Sequence, residues 1–338
     1  MPDSIGLTVI LVVSLQRARG AHCLKHILSQ QVRDPIEVLL FDVQHGQADP
    51  LPGSDHPWVR VLPVTPETAH RGYGAIIREA LHTARAPVIA AIQEHAFPLA
   101  GWAQATIDAH QGNPHAMISG ELYNGNAGRG AADVIYAANY LHVMAPRTKG
   151  TTAYLIGHNS SYKRDIMLRY SDADADALEL LIQNELLLIK RLLADGHTLY
   201  ADPAIKMAHC HETLHASHRV STLLYNRSLG AARVSLEGGA LRKRVRYTLT
   251  APVGPFVRLV RQLLRAARLH PEKLPVLRAN LLHLWIYHAL GVYGHLIGLY
   301  AGAGDSAARF LYYELNEYRH LDGVDVLPIR TPLNGELP

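Results

Sequence analysis

The chain has 338 residues, of which 48% are hydrophobic, so it can bury a sizeable core in one large domain or two ordinary ones. A net charge of only +4 gives no reason to expect a nucleic-acid partner. The two cysteines, Cys23 and Cys210, are far apart in the chain. This separation argues against a disulfide framework or structural zinc site and favours a reducing, cytoplasmic location.

Short β-branched runs alternate with helical patterns in the first part of the chain. We predict strands over 7–13, 36–41, 58–62 and 88–92, with one helix after the first strand and another over 76–84. An Asp precedes the first apolar run and no basic segment leads into it, so we interpret this run as a buried strand and not as a signal peptide. The alternation predicts an α/β fold, a Rossmann-like, mostly parallel sheet flanked by helices.

Polar side chains follow two of the predicted strands. Asp42 ends the second strand, and Gln93, Glu94 and His95 come directly after the strand over 88–92. Ligands of open α/β sheets gather at the carboxyl ends of the strands. We therefore expect a binding site where these polar residues meet.

The middle of the chain gives one strong helical signal. Residues 118–144 are predicted as loops and short strands, and 155–168 as a strand, a polar turn at Asn159 and a helix. One long helix is predicted over 172–196, with Glu185 in the middle of its apolar stripe of Leu178, Leu181, Ile182, Ile189 and Leu192. A carboxylate at this position is either buried in an ion pair with an Arg or Lys, or held as a general base at the opening of a site.

After His215 the composition becomes basic and helical, which divides the chain into a domain over 1–215 and a C-terminal region over 216–338. Within 254–270, apolar residues face one side of a helix and four arginines face the other: Phe256, Leu259, Val260, Leu263 and Ala267 against Arg258, Arg261, Arg265 and Arg268. This pattern predicts peripheral contact with the inner face of a membrane. The segment 281–304 is long enough to span a bilayer, but histidines and glycines interrupt it. They favour a helix that packs on the first domain or enters only the membrane interface. In the alternative hypothesis, both helices simply cover the sheet domain.

Five segments follow one another between about residues 5 and 215: LTVILVVSLQRARGAHCLKHILSQ, IEVLLFDV, APVIAAIQEHAFPLAGWAQATIDAH, LIGHNSSYKRDIM and NELLLIKRLLADGHTLYADPAIKMAH. Their order and spacing resemble those of the family 2 glycosyltransferases, which are inverting hexosyltransferases of the GT-A fold. The resemblance implies transfer of a sugar from a UDP- or GDP-type nucleotide-diphosphate sugar to a hydroxyl acceptor on a glycan, a lipid-linked molecule or a natural product. It would fit a role in cell-envelope or polysaccharide synthesis.

The resemblance also implies roles for particular residues. The donor would lie near Ser14, Asp42, Arg78, Gln93 and Glu94, and the acceptor near Trp102 and Asn159. A divalent cation, Mg²⁺ or Mn²⁺, would be held by Glu94, His95 and His209. The position of the family's catalytic base falls on Glu185, the residue that the apolar stripe already singles out.

Two positions depart from the family's pattern. Val43 follows Asp42 where a second acid is expected, and Gln93, Glu94 and His95 replace the family's Asp-X-Asp motif. Neutralisation of the leaving diphosphate by Lys or Arg instead of a metal therefore stays open. So does the alternative that the chain is an inactive GT-A module with an interaction or scaffolding role. A nucleotidyltransferase or dinucleotide enzyme fits less well, because SLQRARGAH after the first strand contains one Gly and no Lys.

Overall fold

The computed structural model describes residues 5–238 and 241–317. Its centre is a mixed sheet of nine strands, in the order β3-β2-β1-β4-β8-β6-β9-β5, with β7 paired to β9. The strands are β1 (Leu7–Val13), β2 (Ile36–Asp42), β3 (Val59–Pro63), β4 (Val88–Gln93), β5 (Ala96–Pro98), β6 (Met117–Asn124), β7 (Gly150–Thr151), β8 (Ser160–Lys163) and β9 (Leu199–His209).

The helices of the first part connect these strands and cover both faces of the sheet. They are α1 (Arg17–Leu28), α2 (Pro66–Arg71), α3 (Tyr73–Thr83), α4 (Trp102–His110), α5 (Ala132–Asn139), α6 (Arg164–Ala173), α7 (Ala175–Gln183) and α8 (Glu185–Ala194). The predicted α/β class is thus confirmed. The predicted strands at the start of the chain all occur.

Strand direction determines where the polar strand ends meet. Strands β1, β2, β3, β4, β6 and β9 run in one direction, and β5, β7 and β8 run in the other. The carboxyl ends of β1, β4 and β9 therefore lie at one edge, which is the edge that the sequence predicts for ligand binding. Side chains alternate between the faces: Val9 and Leu11 pack with α1 and α4, whereas Ile10 and Val12 pack with α3 and α8.

Three local predictions were wrong. The segment predicted as loops and short strands contains the eight-residue strand β6 and the helix α5. Strand β8 follows Asn159 and does not precede it. The single helix predicted over 172–196 is two helices, α7 and α8, because the chain bends at Asn184. The buried Asn184 side chain donates to the Leu180 carbonyl at 2.9 Å, and such local bonds compete with a regular helix.

The C-terminal region is helical and packs on the sheet layers. It contains α9 (His215–Glu237), α10 (Leu241–Thr250), α11 (Gly254–Leu269), a 3₁₀ turn (Pro271–Lys273), α12 (Leu274–Ala279), α13 (Leu281–Ala301), α14 (Ser306–Tyr312) and a π-helical turn (Tyr313–Glu317). Helix α9 begins at the predicted boundary, but Leu229 and Leu311 belong to the core on one face of the sheet, and Ala266 and Leu284 to the core on the other. In the described part of the chain, no helix combines the length and apolar character needed to cross a bilayer.

Candidate functional site

A cavity of about 360 Å³ opens at the carboxyl ends of the central strands. Its walls come from β4, β8 and β9, from helices α3, α8 and α9, and from the C-terminal segment Ser306–Glu317. Five of the residues that the sequence predicts for the site line this cavity: Gln93, His95, Asn159, Glu185 and His209. Residues from four separate parts of the chain are thereby brought together, in a cavity of the size that binds small molecules.

Glu185 is the first residue of α8 and owes its position to the bend at Asn184. Its Oε2 accepts a hydrogen bond from the Gly157 backbone N–H. Burial raises the pKa of Glu185 to about 7; the Gly157 bond acts against the increase, and the Glu314 carboxylate adds to it. A carboxylate with this pKa can accept a proton from a substrate at neutral pH and release it again.

Imidazoles form another part of the cavity wall, which His95, His158 and His209 line. We call His95, His158, His209 and His211 the imidazole cluster. His209 contacts Gln93 through Nε2, 3.1 Å from Oε1, and contacts His211 through Nδ1, 3.2 Å from the other Nδ1. The rings of His95 and His158 lie 4.7 and 4.8 Å from the His209 ring. The pairing of β5 with β9 places Ala96 opposite His209, which explains why residues so distant in sequence meet.

Glu94, the residue after β4, contacts Ser14 and Arg19 and does not line the cavity. Its carboxylate accepts bonds from the Ser14 N–H at 3.1 Å and the Ser14 hydroxyl at 2.8 Å, and it pairs with the fully buried Arg19. Of the three predicted metal ligands, the structure therefore brings His95 and His209 together and commits Glu94 to Ser14 and Arg19. No group of three His, Cys, Asp or Glu among the described residues is arranged to hold a metal ion. The divalent cation therefore stays a prediction, and we derive no step through one.

The remaining predicted residues lie around the cavity and not in its lining. Asp42 pairs with Arg17 at 2.6 Å, and Arg78 pairs with Glu179 at 2.5 Å, an ion pair that ties α3 to α7. Trp102 donates its indole N–H to the Asn159 side chain at 2.8 Å. Trp102 therefore supports Asn159 from behind.

Asn159 itself fixes the turn beside the cavity. It has a positive φ of 53° and donates from its amide to the carbonyls of Glu121 and Ile205, at 2.8 and 3.0 Å. Asn tolerates the left-handed conformation better than most residues. The bonds hold β6, β8 and β9 together at the point where the cavity begins.

Sequence reasoning missed the contribution of the C-terminal segment Ser306–Glu317. The Leu315 carbonyl accepts bonds from the Ser14 hydroxyl and from Arg19, at 2.8 and 2.6 Å. Glu314 lies 3.4 Å from the Gln93 amide and 3.8 Å from the His95 ring nitrogen. No motif marks these residues. The one sequence feature that implies a polar partner for this segment is the Gln93 amide, which ends the otherwise apolar strand β4.

Comparisons with known proteins add no identification: no protein-family model matches the chain, and no curated protein matches it. The functional argument therefore depends on the residues of the cavity.

Proposed function

We propose that the protein is an inverting glycosyltransferase of the GT-A type that transfers a sugar from a nucleotide-diphosphate sugar to a hydroxyl acceptor. The observation that carries the proposal is Glu185, a carboxyl group with a pKa of about 7 in a cavity at the carboxyl edge of an α/β sheet. The segments that resemble family 2 enzymes assign the base to the same residue. The polar side chains of Gln93, His95, His158 and His209 line the same cavity and support the binding of a charged donor.

In the proposed reaction, Glu185 removes the proton from the acceptor hydroxyl as that oxygen attacks C1 of the sugar. The new C1–O bond forms on the face opposite the leaving group, and the bond from C1 to the diphosphate oxygen breaks. The displaced nucleoside diphosphate carries away the electron pair. Gln93 and the imidazole cluster, which contact one another and Glu314 in the folded chain, are the polar groups that we assign to the charge developing on the leaving diphosphate.

The first experiment measures binding and turnover of a panel of UDP- and GDP-sugars, with and without Mg²⁺ or Mn²⁺. Glu185→Gln should keep donor binding and lose transfer by about 10²- to 10⁴-fold, the usual contribution of a general base. Glu67→Gln, an exposed acid on α2, is the matched control and should retain full activity. Wild-type turnover in the Glu185→Gln variant would refute the assignment of the base.

A second candidate function, an inactive GT-A module, is favoured by one specific observation. Glu94 of the Gln-Glu-His segment and the predicted donor residue Ser14 are engaged by the protein itself, since Glu94 pairs with Arg19 and Ser14 donates to the Leu315 carbonyl. This candidate predicts that no nucleotide sugar in the panel is turned over. Binding without turnover, unchanged in Glu185→Gln, would support it.

A further inference from the structure

Helices α10 and α11 leave a row of apolar side chains exposed. Large hydrophobic residues recur every three or four positions along both helices and stay exposed in the folded chain; the most exposed are Leu241, Leu249, Val253, Phe256, Val260 and Leu264. Leu241 and Leu249 keep 74% and 75% of their surface accessible, and Leu264 keeps 66%. Single exposed hydrophobic residues are common on protein surfaces, but a row of them with helical periodicity indicates a binding surface.

Packing on the core does not account for this row. Helix α11 uses a different stripe to contact the rest of the protein. Leu259 and Leu263, which the sequence predicts for the membrane-facing side, pack instead against the core, so that part of the prediction was wrong. Gln262 beside them donates to the Ala138 carbonyl at 2.8 Å. The exposed stripe of Phe256, Val260 and Leu264 is therefore additional to the one that holds the helix in place.

Helix α13 extends the row sideways. The Phe256 and Trp285 rings lie 6.0 Å apart, which joins α11 to α13, and Leu282, one turn before Trp285, is 73% exposed. Further along, the Thr248 hydroxyl lies 2.8 Å from the Tyr300 hydroxyl and joins α10 to the end of α13. We call the exposed apolar side chains of these three helices, with the arginines beside them, the basic apolar face.

The charge of this region has one sign. Between Glu237 and Glu272 the sequence contains eight Arg and Lys residues and neither Asp nor Glu. Arg242, Arg246, Arg261, Arg265 and Arg268 are exposed. A second copy of the chain is a poor occupant, because a two-fold interface would bring identical arginine-rich surfaces together.

We propose that the basic apolar face binds the surface of an anionic lipid bilayer. Its apolar side chains would enter the boundary between headgroups and acyl chains, and Trp285 would lie at headgroup level. The arginines would contact lipid phosphates, which attract basic side chains to an anionic surface. This binding does not depend on glycosyl transfer.

The experiment measures sedimentation of the full chain with phosphatidylcholine vesicles that contain or lack phosphatidylglycerol, at low and high salt. We expect binding to the anionic vesicles, weaker at high salt, with a blue shift of tryptophan fluorescence. The double variant Val260→Ser/Leu264→Ser should bind at least about tenfold more weakly, because it removes apolar contact. Arg261→Gln/Arg265→Gln should weaken binding mainly at low salt.

Leu193→Ser, a change at an exposed leucine on α8, is the matched control and should bind like the wild type. All substituted side chains are exposed, and unchanged circular dichroism and melting temperature would verify that the variants fold. Equal binding to neutral and anionic vesicles, or no binding to either, would overturn the proposal. It would also be overturned if light scattering showed a dimer that Val260→Ser/Leu264→Ser disrupts, since the occupant would then be a second copy.

Discussion

Glu185 and Glu94 are two buried acids of the same edge with opposite surroundings. Glu185 faces a cavity and a second carboxylate, Glu314, and burial raises its pKa to about 7. Glu94 faces the Arg19 guanidinium and two donors of Ser14. An acid whose proton affinity is raised suits proton transfer, whereas an acid neutralised by a cation suits structural support.

Glu185 should make the activity and the stability depend on pH in opposite ways. The rate of transfer should rise with pH up to about 7, because the base must be unprotonated. Stability should fall over the range from about pH 4.5 to about pH 7, because the native state holds a proton that the unfolded chain has lost. Glu185→Gln should remove this loss, which is at most about 3 kcal/mol at pH 8. Urea unfolding of both proteins at several pH values tests it.

Arg19 should be among the most sensitive positions for stability. Arg19→Met leaves the Glu94 carboxylate buried without its cation, which typically costs about 3–5 kcal/mol. Adding Glu94→Gln should restore part of the loss, because no uncompensated charge then remains. Arg33→Met, which breaks the exposed Arg33–Asp108 pair, should change stability by less than about 1 kcal/mol. Equal losses for Arg19→Met and Arg33→Met in chemical denaturation would contradict this interpretation.

Among the described helices, α9 and α13 share the most extensive contact and run side by side in the same direction. His215 meets His283 near one end, and Gly230 meets His295 further along. Glycines permit this approach: a Cβ on Gly294 would lie 2.6 Å from the Leu223 carbonyl, and one on Gly298 would overlap the Arg227 carbonyl. The helices that wall the cavity are therefore held at a separation that only small residues allow.

Gly298→Ala should destabilise the protein by about 1–3 kcal/mol, because a new methyl group meets backbone atoms that cannot move aside cheaply. Gly291→Ala, on the same helix, is the matched control. Its methyl group would meet the side-chain ends of Arg258 and Asn226, at 3.3 and 3.4 Å, and no backbone atom is among these nearest neighbours. Ala also gains about 1 kcal/mol of helix propensity over Gly. Gly291→Ala should thus melt at the wild-type temperature or above. Similar melting temperatures for the two variants would show that the contact is looser than described.

The whole molecule buries several histidines in their neutral form. Burial and neighbouring cationic groups lower the pKa of His110 and of His283 to about 3, and that of His295 to about 4. The unfolded chain takes up these protons near pH 6.5, but the native state does so only at much lower pH. The contribution of these neutral histidines to the free energy of unfolding is therefore fully present above about pH 6.5 and is lost as the pH decreases.

The protein should unfold cooperatively in mild acid, since each such histidine costs about 2 kcal/mol at pH 5 and a domain is stable by only about 5–15 kcal/mol. His283→Phe should reduce the loss of stability between about pH 7.5 and about pH 5 by roughly one such contribution. His45→Gln changes an exposed histidine and should leave this pH-dependent loss of stability unaltered. Urea midpoints that do not depend on pH over this range would contradict the prediction.

Elements whose signal is local could be predicted from the sequence alone. The apolar runs predicted β1, β2 and β4 because a strand with both faces buried requires continuous apolar residues. The shorter β3, which is only half-buried, was predicted as well. The apolar stripe singled out Glu185 because a carboxylate at that position conflicts with its neighbours. The same local reasoning missed the bend at Asn184, since one side-chain bond to the Leu180 carbonyl has no periodic signal.

Which polar residues share a site depends on strand order and helix packing, and local sequence patterns do not predict it. Gln93, Glu94 and His95 are adjacent in sequence, yet Gln93 contacts His209 across the sheet, whereas Glu94 pairs with Arg19 on α1. The chain also returns at its other end to place Glu314 and Leu315 against Gln93 and Ser14. Periodicity depends on the burial of a residue among its near neighbours, but the identity of a partner 200 or more positions away depends on strand order and helix packing. The sequence could therefore predict that polar groups gather at this edge, and only the fold could decide their partners.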